Sequence, residues 1–162
     1  MSLELLDAID DVSPERIVAR LGLSANAPFL ADHFPGLPVL PGVLVLEAFV
    51  QAAGWLAHHR RGFARSIVAL REARHLRFGR FVSPGDQVTL TAVWTGDRGE
   101  TLGFDATAEV RGQRVASAKL ELAYYDLSAR QPELAQVDAR TQAHNRERWD
   151  RLIARPSPSL PA

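Results

Sequence analysis

The chain has 162 residues, 46 % of them apolar, enough for one domain with a real core. Its 19 basic and 19 acidic side chains cancel, which leaves no charge footprint for nucleic acid. It has no cysteine, so disulfides, thiolate catalysis and zinc–sulfur sites are excluded.

Residues 1–10 contain neither a basic segment nor a long apolar run; they do not read as a secretory signal, and a cytoplasmic location is expected. Residues 16–23, Arg-Ile-Val-Ala-Arg-Leu-Gly-Leu, are a short strand candidate, broken by Asn26, Ala27 and Pro28. Pro35, Pro38 and Pro41 stiffen the loop that follows, because each proline fixes its own φ and restrains the residue before it. From residue 42 to about 59 the chain reads as an apolar helix. Pro41 is suited to its start and His58-His59-Arg60-Arg61 to its C-terminal end. A membrane span needs about 20 apolar residues; this run is shorter and contains Glu47 and Gln51, so a core helix is expected.

The period then changes. Residues 66–71 are a short run, and residues 88–94, 102–110 and 115–124 alternate apolar or small with polar residues, as strands do. Residues 97–100 and 111–113 supply hairpin turns. One apolar helix followed by an antiparallel meander predicts an α+β fold, a curved sheet wrapped around a long central helix. The open sheet edge, and a helix too apolar for one small sheet to cover, predict a dimer. After residue 127 the composition turns polar. Residues 141–154 read as a charged helix with Trp149, Leu152 and Ile153 on one side, docking on another surface of the oligomer or covering the sheet's own edge. Residues 155–162 read as a disordered tail. The expected division is a domain over 1–127 and an extension over 128–162.

Glu47 is the one ionisable side chain of its apolar stretch, and burying a lone carboxylate is costly unless it is paired or at work. His33 sits upstream in Asp32-His33-Phe34-Pro35-Gly36, held by prolines. Gly42 opens the helix, so its free amide adds to the positive end of the helix dipole. Gln51 lies at i+4 from Glu47, on the same face and able to orient its carboxyl. A base, an acid and an oxyanion donor make a kit for proton chemistry beside a carbonyl.

Other features carry less. His58 and His59 suit a metal, but neighbouring helical side chains point about 100° apart, and a solvated helix end is the simpler reading. Arg71, Arg74, Arg77 and Arg80 alternate faces if extended; they are either ordinary surface charge or contacts for an acidic carrier. Ser83 has no nucleophile-elbow context.

Residues 26–54, containing Asp32-His33-Phe34-Pro35-Gly36-Leu37-Pro38-Val39-Leu40-Pro41-Gly42-Val43-Leu44-Val45-Leu46-Glu47, resemble the signature of the FabZ-type (3R)-hydroxyacyl-[acyl-carrier-protein] dehydratases. Pro84-Gly85-Asp86 resembles the family's second landmark, a turn entering a long strand, and the likeness spans roughly residues 3–125. It implies a hot-dog fold and dehydration of (3R)-3-hydroxyacyl thioesters to trans-2-enoyl thioesters in fatty-acid or related lipid or polyketide biosynthesis. His33 matches the catalytic histidine and Glu47 the catalytic acid. Gly42 matches the glycine whose amide binds the thioester oxygen, and Val39 the residue whose carbonyl orients the histidine. The resemblance also implies no metal or redox cofactor, a substrate carried on the phosphopantetheine of acyl carrier protein, and a homodimer or trimer of dimers with each site shared between subunits.

The chain departs from the family at Asp32, where glycine is usual, and at Trp55, which either fills core or reshapes the acyl tunnel. The residues after 127 have no counterpart in a minimal family member. The rival readings are a hot-dog thioesterase and a non-catalytic acyl-carrier-binding subunit.

Overall fold

The computed structural model describes residues 3–28, 30 and 36–155. Its strands are β1 (Ala8–Val12), β2 (Arg16–Gly22), β3 (Ile67–Phe78), β4 (Gln87–Arg98), β5 (Thr101–Val110) and β6 (Gln113–Tyr125); its α-helices are α1 (Gly42–Arg60) and α2 (Ala135–Ala154). The strands form one six-stranded sheet in the order β1-β2-β4-β5-β6-β3, antiparallel throughout.

The period of two in the sequence explains the sheet. Ile17, Ala19 and Leu21 of β2, Val88, Leu90 and Ala92 of β4, Phe104, Ala106 and Ala108 of β5, and Ala118, Leu120 and Leu122 of β6 are all buried. Against these strands lies α1, which buries Val45, Ala48, Phe49, Ala52, Ala53 and Leu56. The expected sheet around a central helix is what the chain forms. The helix is not covered on every side, however. Val43 is 68 % exposed, and Leu44, Leu46, Glu47, Val50 and Gln51 are only half-buried, so the N-terminal half of α1 presents one side that its own chain leaves open.

Three elements differ from expectation. β1 carries Asp10 and Asp11, residues that strands disfavour, yet it pairs with β2 along Ala8↔Arg20 to Val12↔Ile17. β3 runs to Phe78 instead of stopping near 71. Its charged second half reads poorly as a strand but pairs with β6, with irregularities between Leu70 and Glu72 and between Arg74 and Arg77. α2 begins at Ala135, earlier than 141, after turns of 3-10 helix at Leu127–Ala129 and Pro132–Leu134.

The Pro84-Gly85-Asp86 turn is a staple. The buried Asp86 accepts from the Ser83 amide at 2.9 Å, the Gly85 amide donates to the Leu23 carbonyl at 2.8 Å, and the Leu23 amide donates to the Asp86 carbonyl at 3.1 Å. It ties the end of β2 to the start of β4.

α2 docks on its own chain, over the C-terminal end of α1 and beside β1. Trp149 is buried, stacked on His59 at 5.2 Å and set against Trp55 at 6.0 Å. The buried Asp138 anchors the start of the helix: it accepts from the Ser66 hydroxyl and from the Leu127 and Ser128 amides at 3.0 and 2.8 Å. Burial alone pushes that carboxyl up, but the Ser66, Ser128 and Leu127 donors outweigh it and hold it well below the usual carboxylate range. The expected apolar side of this helix is corrected at Ile153, which is 46 % exposed; Trp149 and the half-buried Leu152 make the contact. The expected disordered tail lies outside the described residues beyond residue 155.

Candidate active site

Glu47 lies in the second turn of α1, half-buried on the side its own sheet leaves open. Its partner is Gln51, whose Nε2 donates to Glu47 Oε1 at 2.9 Å and to the Leu3 carbonyl at 2.7 Å. The other end of the same amide, Gln51 Oε1, accepts from the Leu5 amide at 3.0 Å. Gln51 therefore cannot rotate away from Glu47 without breaking bonds to the N-terminal segment, a link of more than 40 residues that i, i+4 spacing alone does not reveal.

Pro41 is the N-cap of α1, and its carbonyl accepts from the Leu44 and Val45 amides at 2.9 and 3.2 Å. The amides of Gly42 and Val43 thus stand ahead of the first intrahelical bonds, at the positive end of the helix. The space over Gly42 is taken by Phe78, the last residue of β3: a Cβ at Gly42 would lie 2.9 Å from Phe78 Cζ. Phe78 itself is 51 % exposed. Val39 is buried, and the next amide, Leu40, donates to the Val82 carbonyl at 2.8 Å, which pins the approach to the helix. His33 and Asp32 lie outside the described residues. The segment that bears them leaves a buried Leu30, whose amide donates to the Ala27 carbonyl at 3.0 Å, and re-enters at Gly36 with φ +88°.

The reading of His58 and His59 as a solvated helix end is corrected. His58 is 6 % exposed, stacked on Phe63 at 5.5 Å and edge-on to Tyr124 at 5.3 Å. Burial lowers its pKa to about 4. It lies eleven positions after Glu47, which on an α-helix is nearly the same face, a signal present in the sequence. Beside it, a shallow, open cavity of about 230 Å³ is bordered by Val50, Gln51, Gly54, Trp55, His58 and Asn145. A larger open groove of about 1340 Å³ borders β3, β5, β6 and the 126–134 connection and contains none of the expected site residues. Arg71, Arg74, Arg77 and Arg80 are all exposed; Arg74 pairs with Glu121 at 3.1 Å and Arg80 donates to Gln113 at 3.3 Å. No described helix is long and apolar enough to cross a membrane.

Residues 10–119 match the family model of the ApeI-like dehydratases. Over 119 residues the chain is 38 % identical to the 3-hydroxyacyl-[acyl-carrier-protein] dehydratase FabZ of Streptococcus suis, covering 74 % of this chain and 85 % of that protein. It is 39 % identical over the same share to the FabZ of Streptococcus agalactiae. Among solved structures it resembles the dehydratase heterocomplex ApeI:P from Xenorhabdus doucetiae, with TM-score 0.65, 19 % identity and coverage of 83 % of this chain and 88 % of that one. It also resembles the E. coli PaaI protein, with TM-score 0.57, 17 % identity and coverage of 72 % and 81 %; at that identity the likeness concerns the fold alone. The sequence matches reach the dehydratases directly, and this chain belongs to the FabZ and ApeI-like family of hot-dog dehydratases.

Proposed function

We propose that the enzyme dehydrates (3R)-3-hydroxyacyl thioesters, carried on the phosphopantetheine arm of acyl carrier protein, to trans-2-enoyl thioesters. His33 takes a proton from C2. The negative charge that develops on the thioester oxygen is met by the Gly42 amide, where an oxyanion is favoured by the helix end. Glu47 gives its proton to the C3 hydroxyl, which leaves as water. Val39 orients His33 through its carbonyl, and Gln51 fixes the carboxyl of Glu47. The sum moves two protons and a hydroxyl, so it calls for no redox group or metal. The observation that carries this reading is the Glu47–Gln51 pair at 2.9 Å on the helix that begins with Gly42.

The working unit in this reading is a homodimer, alone or as a trimer of dimers, in which each site takes His33 and Glu47 from different subunits. Two observations support it: β3 is a sheet edge with Leu70, Leu76 and Phe78 exposed, and Val43 is exposed beside it on α1. The chain divides into the catalytic domain, 1–127, and an extension, 128–162; the family match ends at residue 119.

The test is complementation. His33→Ala and Glu47→Gln should each lower turnover by about 10²–10⁴-fold, the usual effect of losing a positioned acid or base. Mixing the two inactive proteins should restore part of the activity. A lack of recovery after proven subunit exchange would put both groups on one chain, and near-normal turnover of either variant would overturn its role. Release of free thiol from 3-hydroxyacyl thioesters without dehydration would instead favour a thioesterase.

A further inference from the structure

We propose that Arg148 of α2 and Glu4 of the N-terminal segment are positioning residues for the catalytic acid: α2 holds the segment, the segment holds Gln51, and Gln51 holds Glu47. This rests on the reading of Glu47 as the acid of the dehydratase and adds two residues that act on it from a distance.

The contacts form one continuous chain. Arg148 Nε meets Glu4 Oε1 at 3.1 Å. The residues on either side of Glu4 both bond the Gln51 amide: the Leu3 carbonyl accepts from its Nε2 at 2.7 Å, and the Leu5 amide donates to its Oε1 at 3.0 Å. The same Nε2 donates to Glu47 Oε1 at 2.9 Å. A carboxamide nitrogen has two protons to give; here one goes to the segment and the other to the acid. The amide is planar, so a shift of residues 3–5 turns it as a whole and moves the proton offered to Glu47.

Leu5 and Leu6 are buried, but Leu3 is 49 % exposed, so packing does not hold the chain on the N-terminal side of Leu5. The Glu4–Arg148 pair acts at that point. Arg148 is itself fixed: only 18 % of its side chain is exposed, and its guanidinium lies over the Trp55 ring at 5.3 Å. The next residue, Trp149, is buried against His59, so α2 cannot roll away from the segment without uncovering a tryptophan. The helix grips the segment again at its end, where Arg155 Nη1 donates to the Asp7 carbonyl at 2.9 Å. Residues 10–119 carry the family match, so residues 3–7 and α2, which build this strap, both lie outside it. An ion pair with one side chain half exposed contributes modestly, which sets the expected effect on the acid at a few-fold.

The experiment uses the full-length enzyme and 3-hydroxybutyryl thioester, assayed well below Tm. Glu4→Ala and Arg148→Ala should each lower kcat by about threefold with KM unchanged. Arg148→Lys, which keeps the charge, should retain most of the wild-type rate, and the double variant should be no slower than the slower single one. In a Gln51→Leu background neither substitution should lower kcat further, because the link they act through is gone, whereas a role confined to stability would still lower Tm there. Hydrogen exchange of the Leu5 amide should speed up in both single variants, a readout of the strap that does not depend on activity. Glu4 has a half-exposed side chain, so Glu4→Ala folds and decides the question even where Arg148→Ala does not. Unchanged kcat in Glu4→Ala, a fall that multiplies with that of Gln51→Leu, or an unchanged exchange rate at Leu5 would overturn the proposal. Full activity of Glu47→Gln would instead overturn the reading of Glu47 as the acid, and a wild type that dehydrates no 3-hydroxyacyl thioester would overturn the dehydratase reading itself.

Discussion

Gln51 holds Glu47 from one helical turn away and holds the N-terminal segment with the same side chain: its amide bonds Glu47 Oε1 at 2.9 Å, the Leu3 carbonyl at 2.7 Å and the Leu5 amide at 3.0 Å. Replacing it separates two effects. Gln51→Leu strips the buried Leu5 amide of its acceptor, at about 1–3 kcal/mol, and should lower Tm by several degrees. It should also lower kcat by about an order of magnitude as Glu47 loses its orientation. Gln51→Glu sets a like charge beside Glu47 and should raise the pKa of the acid. In the proposed mechanism Glu47 acts in its protonated form, so the alkaline limb of the pH–rate profile should move upward. A limb that stays still, or moves down, would show that Glu47 is not the acid.

Gly42 and Phe78 give a second separation. The site over Gly42 is filled by the Phe78 ring, 2.9 Å from where a Cβ would be. Phe78 ends the edge strand β3, and within one chain its ring has room to move, so Gly42→Ala should leave the fold of the single chain within about 1 kcal/mol of wild type, with any larger loss appearing in dimer dissociation. If the Gly42 amide meets the thioester oxygen as proposed, the added methyl and the displaced ring crowd it, and kcat should fall by about 10²-fold or more, the scale of a lost oxyanion donor. Full activity at unchanged stability would remove Gly42 from the site.

The core of this fold is legible in local sequence because its signals are local. The apolar helix from residue 42, the alternating residues of β4, β5 and β6, and the turn at Arg111 and Gly112 all follow from spacing within a few residues. The i, i+4 spacing of Glu47 and Gln51 likewise made their contact readable. What escaped depends on distant chain. β1 has little strand character and exists through its pairing with β2. The second half of β3 is charged and is carried by β6. His58 reads as part of a basic helix end, and only the arrival of Phe63, Tyr124 and α2 buries it. The overlap of Phe78 with Gly42 joins residues from different elements and has no counterpart in local pattern.

His58 makes stability pH-dependent. Burial among Trp55, Phe63 and Tyr124 lowers its pKa from 6.5 to about 4; Arg148 is the other charged group on its cavity. The folded state must keep the ring neutral, whereas the unfolded chain protonates it below about 6.5. Its contribution is therefore intact above that pH and is lost as pH falls toward 4, by on the order of 3 kcal/mol. His58→Phe should flatten the acid side of a Tm-against-pH curve between about pH 6.5 and 4 relative to wild type. Parallel curves would mean that His58 is protonated in the folded enzyme.

Residues 128–155 contribute to fold stability through Trp149 at the C-terminal end of α1 and Asp138 beside Ser66. Truncation after Asp126 removes Trp149 from His59, Trp55 and Phe63 and takes Asn145 and Arg148 from the cavity end. It also leaves the Ser66 hydroxyl without Asp138. Losing a buried tryptophan alone costs about 3–5 kcal/mol, so the truncated protein should melt well below wild type and tend to aggregate through the uncovered aromatic cluster. Gly42 and Glu47 lie in the first two turns of α1, N-terminal to the cluster at Trp55 and His59. Turnover of a short 3-hydroxyacyl thioester by the folded fraction should therefore stay within a few-fold of wild type. Trp149→Ala in the full chain, measured by the same assays, should lower Tm in the same direction with less aggregation. A truncated protein that stays folded and assembled yet loses all short-chain turnover would show that the extension reaches the reaction centre.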